Sequence, residues 1–192
     1  MSDVLTTAAT TDAVTLTECK RHLNVSSTAD DAMIRDYIAA ATMLLEKRTS
    51  RAFVNQTRTL KMRTFFDERY VHGREMYPPR SPLSSVTSIS YVDVEGTTTT
   101  MPSSDYISST GDRPGKITEA YNATWPATRN HPNDITVTYV AGHTSSSTGV
   151  PANVKQAIRL VVGEWYRNRE MGPMEMDVVN ALLETEQVET YG

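Results

Sequence analysis

Apolar and polar positions alternate most regularly in the last third of the chain, where a strand is followed by a helix. Ile135, Val137 and Tyr139 are separated by threonines, the period-two pattern of a strand with one buried face. After a Ser/Thr/Gly loop at 144–149, Pro151 begins a predicted helix that runs to residue 169. Its apolar stripe repeats at the helical period, through Val154, Ile158, Val161 and Trp165.

Two further helices are predicted near the start of the chain. Thr15 and Glu18 have the spacing of a capping box, which predicts a short helix over residues 15–24. Asp30 and Asp31 favour the positive end of a second helix, predicted over residues 30–49. This helix carries an apolar stripe that matches the stripe after Pro151 in length: Ile34, Ile38, Ala41 and Leu45. We therefore expect the two stripes to pack together, since each buried aliphatic side chain contributes roughly 1.5–3 kcal/mol.

Between these helices, residues 54–142 have the pattern of short antiparallel strands. Strands are predicted near 57–62, 86–92, 97–101, 106–107 and 116–118. Residues 93–96 are predicted to form a hairpin turn, with Gly96 at the position where the backbone conformation favours glycine. The order of elements predicts an α+β fold. Its bundle is formed by the N-terminal helix pair and the C-terminal long helix, and the antiparallel β region is an insertion between them.

Two terminal segments lie outside this predicted domain of residues 15–170. Residues 1–14 form a polar, Thr/Ala-rich leader without periodicity, which we expect to be flexible. Residues 171–192 form a C-terminal arm, because Pro173 cannot continue the preceding helix. Met174, Val178 and Leu182 then have the pattern of a short amphipathic helix that binds in a partner's groove. We expect the arm to order on that partner; folding back on its own domain, or staying disordered, is the alternative.

Composition limits the function classes. The chain has 192 residues, a net charge of −4 and one cysteine, Cys19, which excludes an internal disulfide framework. An acidic chain is unlike a free-standing nucleic-acid binder, which is usually basic. No run approaches the ~20 apolar residues of a membrane span and no export signal is visible, so we expect synthesis in a host cytoplasm and no membrane partner.

The charges are unevenly distributed along the chain. Six bases lie between residues 47 and 63 with no acid among them: Lys47, Arg48, Arg51, Arg58, Lys61 and Arg63. The residues after Arg169 carry six acids and no base. This opposite polarity suits a protein that repeats head to tail. We expect the basic segment to lie on a subunit interface or a channel wall, although a solvated face is the ordinary reading of a charge run.

The sequence contains few candidates for catalytic or metal-binding residues. The four histidines, His22, His72, His131 and His143, share no metal-ligand spacing, and Asp30 with Asp31 is better explained as helix capping than as a catalytic pair. We therefore predict no catalytic, cofactor or metal site. Trp125 begins a loop at 125–129 that is a candidate interaction site, because Trp and Arg are enriched at binding hot spots. The alternative is that Trp125 simply closes the open end of the sheet.

Taken in order, these segments resemble a known family. They include Leu16-Thr17-Glu18, Asp30-Asp31 before the second helix, Leu45-Glu46-Lys47-Arg48-Thr49, Leu83-Ser84-Ser85-Val86, Trp125-Pro126, Thr138-Tyr139-Val140-Ala141-Gly142, Val150-Pro151 and Trp165-Tyr166-Arg167-Asn168-Arg169. Together, over about residues 15–170, they resemble the head–tail connector (adaptor, or head-completion) proteins of tailed bacteriophages and gene transfer agents.

The resemblance implies a non-enzymatic virion protein of the neck. It implies a dodecameric ring beneath the portal protein, which extends the channel for packaged double-stranded DNA, helps to retain that DNA and docks the next neck or tail (stopper or tail-completion) protein. The C-terminal arm would then dock on the portal. A soluble DNA-binding or regulatory module, or a small hydrolase that uses His143, stays open as an alternative.

Overall fold

A computed structural model of the chain describes residues 2–168 and 176–184. The described helices are α1 (Leu16–Leu23), α2 (Asp31–Thr49), α3 (Ala152–Arg167) and α4 (Asp177–Leu183). The described strands are β1 (Ser2–Thr7), β2 (Gln56–Met62), β3 (Val71–His72), β4 (Glu75–Met76), β5 (Leu83–Val92), β6 (Thr98–Thr100), β7 (Tyr106–Ser109), β8 (Lys116–Glu119) and β9 (Ile135–Ala141). These residues divide into two compact units, a helical unit (10–54, 143–168 and 176–184) and a β unit (2–9 and 55–142). The predicted α+β class, with β structure inserted between the second and third helices, is confirmed.

The helical unit is held together by one apolar core. The predicted capping box begins α1: the Thr15 hydroxyl accepts from the Glu18 amide at 3.2 Å, and the Glu18 carboxylate accepts from the Thr15 amide at 2.8 Å. The core unites the two predicted stripes, Ile34, Ile38, Ala41 and Leu45 of α2 with Val154, Ile158 and Val161 of α3. Trp165 packs at the edge of this core, with its ring edge-on to Tyr37 at 6.0 Å. The predicted packing of α2 on α3 is therefore confirmed.

The β unit contains two antiparallel sheets. The larger has the strand order β1-β2-β9-β5-β6, and the smaller has the order β3-β4-β8-β7. In β9 the alternation read from the sequence is reproduced, because Ile135, Val137, Tyr139 and Ala141 are buried and the residues between them are not. The hairpin between β5 and β6 has Gly96 at φ +93°, a left-handed conformation that favours glycine.

The N-terminal strand β1 corrects the prediction of a flexible leader. Ser2–Thr7 pairs antiparallel with β2, with a register shift between Leu5 and Thr7. The strand has no apolar alternation, because its side chains are exposed apart from the half-buried Asp3. Backbone pairing and the contacts of Asp3 therefore position β1, and neither leaves a periodic signal in the sequence.

None of the helices within residues 2–168 and 176–184 is both long and apolar enough to cross a membrane.

Candidate interaction surfaces

The six bases of the 47–63 segment do not share one surface. Lys47 and Arg48 are exposed at the end of α2, in the helical unit. In the β unit, Lys61 is exposed, and Arg63 donates through Nε to the backbone carbonyl of Asn130 at 2.7 Å. The remaining two, Arg51 and Arg58, are only 2% and 8% exposed, and this burial within their own chain corrects the interface prediction for them. For the four exposed bases, an interface or channel position stays a prediction.

Arg58 is buried because Asp3 neutralises it. The Asp3 Oδ2 atom lies 2.7 Å from Arg58 Nε and 2.6 Å from Nη2, and both side chains are 10% exposed. The other carboxylate oxygen accepts from the Tyr139 hydroxyl at 2.8 Å, and Gln56 accepts from Arg58 Nη1 at 3.4 Å. Burial alone would lower the pKa of Arg58, but the hydrogen bond and charge of Asp3 raise it. Burial and the nearby Asp3 charge also raise the pKa of Tyr139, so this cluster is a fixed ion pair.

Trp125 lies inside the β unit. It is 6% exposed, its ring stacks on Phe65 with centroids 4.8 Å apart and planes within 5°, and its indole Nε1 donates to the Arg74 carbonyl at 3.4 Å. The side chain is therefore a core element of its own subunit. This burial argues against Trp125 as an interface residue, and the alternative, that it closes the open end of the sheet, stays a prediction.

The C-terminal arm is corrected for its described part. Met174 and the predicted break at Gly172 and Pro173 lie outside the described residues, but residues 177–183 form α4 within the helical unit. Val179 and Leu183 of α4 are buried in the core, and Leu182 packs at its edge while its carbonyl accepts from Asn153 Nδ2 at 3.1 Å. The helix thus folds back on its own domain, because its apolar stripe contains Val179 and Leu183. Val178 instead lies on the opposite face and is 66% exposed.

The candidate catalytic residues lie in separate settings. His22 lies in the last turn of α1, His72 lies in β3, and His131 donates its backbone amide to the Asp134 carboxylate at 2.7 Å. His143 follows β9. Burial raises the pKa of the Cys19 thiol to about 12, which makes this cysteine a poor nucleophile at neutral pH. Within the described residues, no three His, Cys, Asp or Glu side chains are placed to hold a metal ion.

An open cavity of about 660 Å³ lies in the β unit, beside β4 and β8. Its lining includes Arg74, Glu75 and Glu119, but Arg74 pairs with Glu119, and Glu75 pairs with Lys116 at 2.7 Å. The charges of the cavity are thus already neutralised by intramolecular ion pairs. The geometry favours a structural role for these side chains.

Exposed apolar side chains are the feature that sequence reasoning missed. On the outer side of α2, Met43 is 72% exposed and Leu44 is 36% exposed, and Ala39 and Ala40 beside them are also exposed. An outward-facing helix surface is usually polar. The sequence could have shown this surface. On a helix of 3.6 residues per turn, the apolar residues at positions 39, 40, 43 and 44 lie outside the stripe formed by Ile34, Ile38, Ala41 and Leu45.

The chain is similar to head–tail connector proteins in sequence and in fold. Residues 13–99 match the family model of the phage gp6-like head-tail connector protein. A chain of the virion of a native gene transfer agent (GTA) particle superposes with a TM-score of 0.80 at 25% sequence identity, over 98% of this chain and 96% of that chain. These findings confirm the predicted resemblance to head–tail connector proteins.

Two further structures share the fold. A chain of the neck of an empty GTA particle, computed with C6 symmetry, has a TM-score of 0.80 at 24% identity. A chain of the neck of a native GTA particle, computed with C12 symmetry, has a TM-score of 0.73 at 25% identity. Both alignments cover 98% of this chain and 96% of the other chain. No curated protein sequence matches this chain significantly.

Proposed function

We propose that this chain, a structural head–tail connector, forms a ring in the neck of a tailed phage or gene transfer agent particle. The observation that carries the proposal is the likeness of this chain, over 98% of its length, to a chain of the native GTA virion. A second similar chain belongs to the neck of a native GTA particle, computed with C12 symmetry. The family match over residues 13–99 supports the same role independently of the fold. A dodecamer is the ring size that this symmetry suggests.

In this proposal the ring lies beneath the portal protein and continues the DNA channel toward the tail. One rim binds the portal and the other binds the next neck or tail protein, while packaged double-stranded DNA passes through the centre. The net charge of −4 suits such a channel, because a protein that grips DNA tightly does so with clustered Lys and Arg. The role is structural rather than catalytic and requires no cofactor.

Electron microscopy of the purified chain, alone and mixed with its cognate portal protein, tests the proposal. We expect closed rings in the mixture, seated coaxially on the portal, with twelvefold rotational symmetry; portal protein alone is the control. A chain that stays monomeric with the portal at micromolar concentrations would refute the ring.

The alternatives make different predictions about the same purified protein. A DNA-binding or regulatory module would bind free duplex with an affinity that falls steeply as salt rises, since phosphate contacts release counterions. A hydrolase would keep its activity on dilution to monomer and lose it in His143→Ala. No contact among the described residues favours either alternative over the connector.

A further inference from the structure

The outer face of α2 carries an apolar stripe opposite the buried one. Ala32, Ala39, Ala40 and Met43 are exposed on this face, and Met43 has 72% of its surface accessible. Two exposed residues of opposite charge, Arg35 and Asp36, lie among them. At 100° per residue these positions lie on the side of the helix away from Ile34, Ile38, Ala41 and Leu45. We call this surface the α2 outer stripe. It ends in the last helical turn at two bases, Lys47 and Arg48.

The exposed face of α4 has the complementary character. Asp177, Val178, Ala181 and Glu184 are exposed, whereas Val179 and Leu183 on the other side anchor the helix in the core of the helical unit. We call these four residues the α4 exposed face. Two apolar side chains therefore lie between two acids, just as the α2 outer stripe places apolar side chains beside two bases.

Among the described residues, no ion pair involves Lys47, Arg48, Asp177 or Glu184. The charges of Arg35 and Asp36 on the α2 face offset each other, so Lys47 and Arg48 leave this surface a positive excess, whereas the α4 exposed face is acidic. Opposite charges flanking apolar patches fix the register of an interface and favour the correct partner.

We propose that the α4 exposed face of one copy binds the α2 outer stripe of the next copy, with Asp177 and Glu184 against Lys47 and Arg48. The two surfaces differ, so the contact is heterologous: each copy offers one surface to each neighbour. A repeated heterologous contact generates a ring when its rotation closes. The inference rests on the proposed ring and names the surfaces that build it.

Cross-linking between two singly substituted proteins tests the contact directly. Met43→Cys and Val178→Cys are prepared separately, mixed with portal protein and treated with a short bis-maleimide. Cys19 is 1% exposed and does not compete for the reagent. We expect a cross-linked dimer in the mixture of the two variants and none in either variant alone. Ala40→Cys with Ala181→Cys is a second pair, for use if either first substitution disturbs folding.

Charge reversal is a second test of the contact. Lys47→Glu with Arg48→Glu should abolish ring formation while the chain stays folded, because both side chains are exposed and without ion-pair partners among the described residues. A small fall in the unfolding temperature is expected, since both residues lie in the last turn of α2, where the helix dipole favours bases. Adding Asp177→Lys and Glu184→Lys to the same chain should restore the rings. Arg113→Glu is a matched control at an exposed base of the β unit that is not an interface candidate, and it should assemble normally.

The outcomes separate this inference from the proposed function. Wild-type rings on the portal, together with no cross-link in the mixtures and no effect of charge reversal, would overturn the α4–α2 contact and leave the connector role intact. A cross-linked dimer of Met43→Cys alone would also overturn it, since that product indicates a two-fold contact between α2 helices. Failure of the wild type to form rings with the portal would refute the proposed function itself.

Discussion

Replacing Asp3 by Ala should destabilise the β unit by leaving Arg58 buried without its counterion. The guanidinium lies 2.6 and 2.7 Å from Asp3 Oδ2, and Arg58 is 8% exposed. Breaking a buried ion pair by removing one partner costs about 3–5 kcal/mol. Gln56 remains within 3.4 Å of Nη1, so we expect the lower end, about 3 kcal/mol of the free energy of unfolding.

The measurement combines urea unfolding with amide hydrogen exchange. Exchange should accelerate at the β2 amides that face β1, because Asp3 fixes this edge strand to Arg58 and Tyr139. Tyr139→Phe is the matched control: it removes only the hydroxyl that donates to Asp3 and should cost about 1 kcal/mol. Asp3→Leu with Arg58→Met should recover most of the loss, since apolar residues of similar volume often replace a buried ion pair without cost.

A change below about 1 kcal/mol in Asp3→Ala, with β2 exchange unaltered, would refute the reasoning. It would mean that Arg58 reaches water or another acceptor as easily as it reaches Asp3. The double variant distinguishes the effect of an unpaired charge from the effect of a changed shape. If Asp3→Leu with Arg58→Met unfolds as readily as Asp3→Ala, the loss reflects the shape of the site and not an unpaired charge.

Two further predictions concern Glu18 and Gly115. Burial alone would raise the pKa of Glu18, but hydrogen bonds from Lys155 and Thr15 lower it to about 2. Its stabilising contribution is therefore complete above the ordinary value of 4.5 and lost as the pH falls through about 2, so acid unfolding should show the wild-type advantage over Glu18→Gln disappearing across that window. At Gly115 an added Cβ would lie 2.5 Å from the Leu83 Cβ; Gly115→Ala should cost about 1–3 kcal/mol in thermal unfolding, and Gly111→Ala, which meets nothing within 4 Å, should be neutral.

The helical unit could be predicted from the sequence because its order is local. The capping box of Thr15 and Glu18 depends on a spacing of three residues, and the stripes of α2 and α3 repeat every three or four residues. Strand β1 could not be predicted in this way. Its position depends on Asp3 pairing with Arg58, 55 residues away, and a single polar contact across that separation has no periodicity.

The same limit explains the mixed outcome for the interaction candidates. A run of six bases indicates where positive charge is concentrated, but it cannot distinguish Arg58, which has a buried acidic partner, from Lys47, which is exposed. For the arm, the spacing of its apolar residues allowed two faces. The predicted stripe contained Val178, whereas the core of the helical unit contains Val179 and Leu183. Choosing between the two faces of a two-turn helix requires knowledge of the surface on which the helix packs.

In the proposed ring, helix α2 would serve assembly as well as folding. A helix needs one apolar stripe to fold onto a monomeric core, and α2 provides it with Ile34, Ile38, Ala41 and Leu45. A second exposed stripe that includes Met43 adds nothing to the stability of a single copy and raises the risk of nonspecific association. This risk is removed only where another surface covers the stripe for most of the protein's lifetime. In a ring every copy meets the same neighbour on each side, so one helix can serve both the core and the subunit contact.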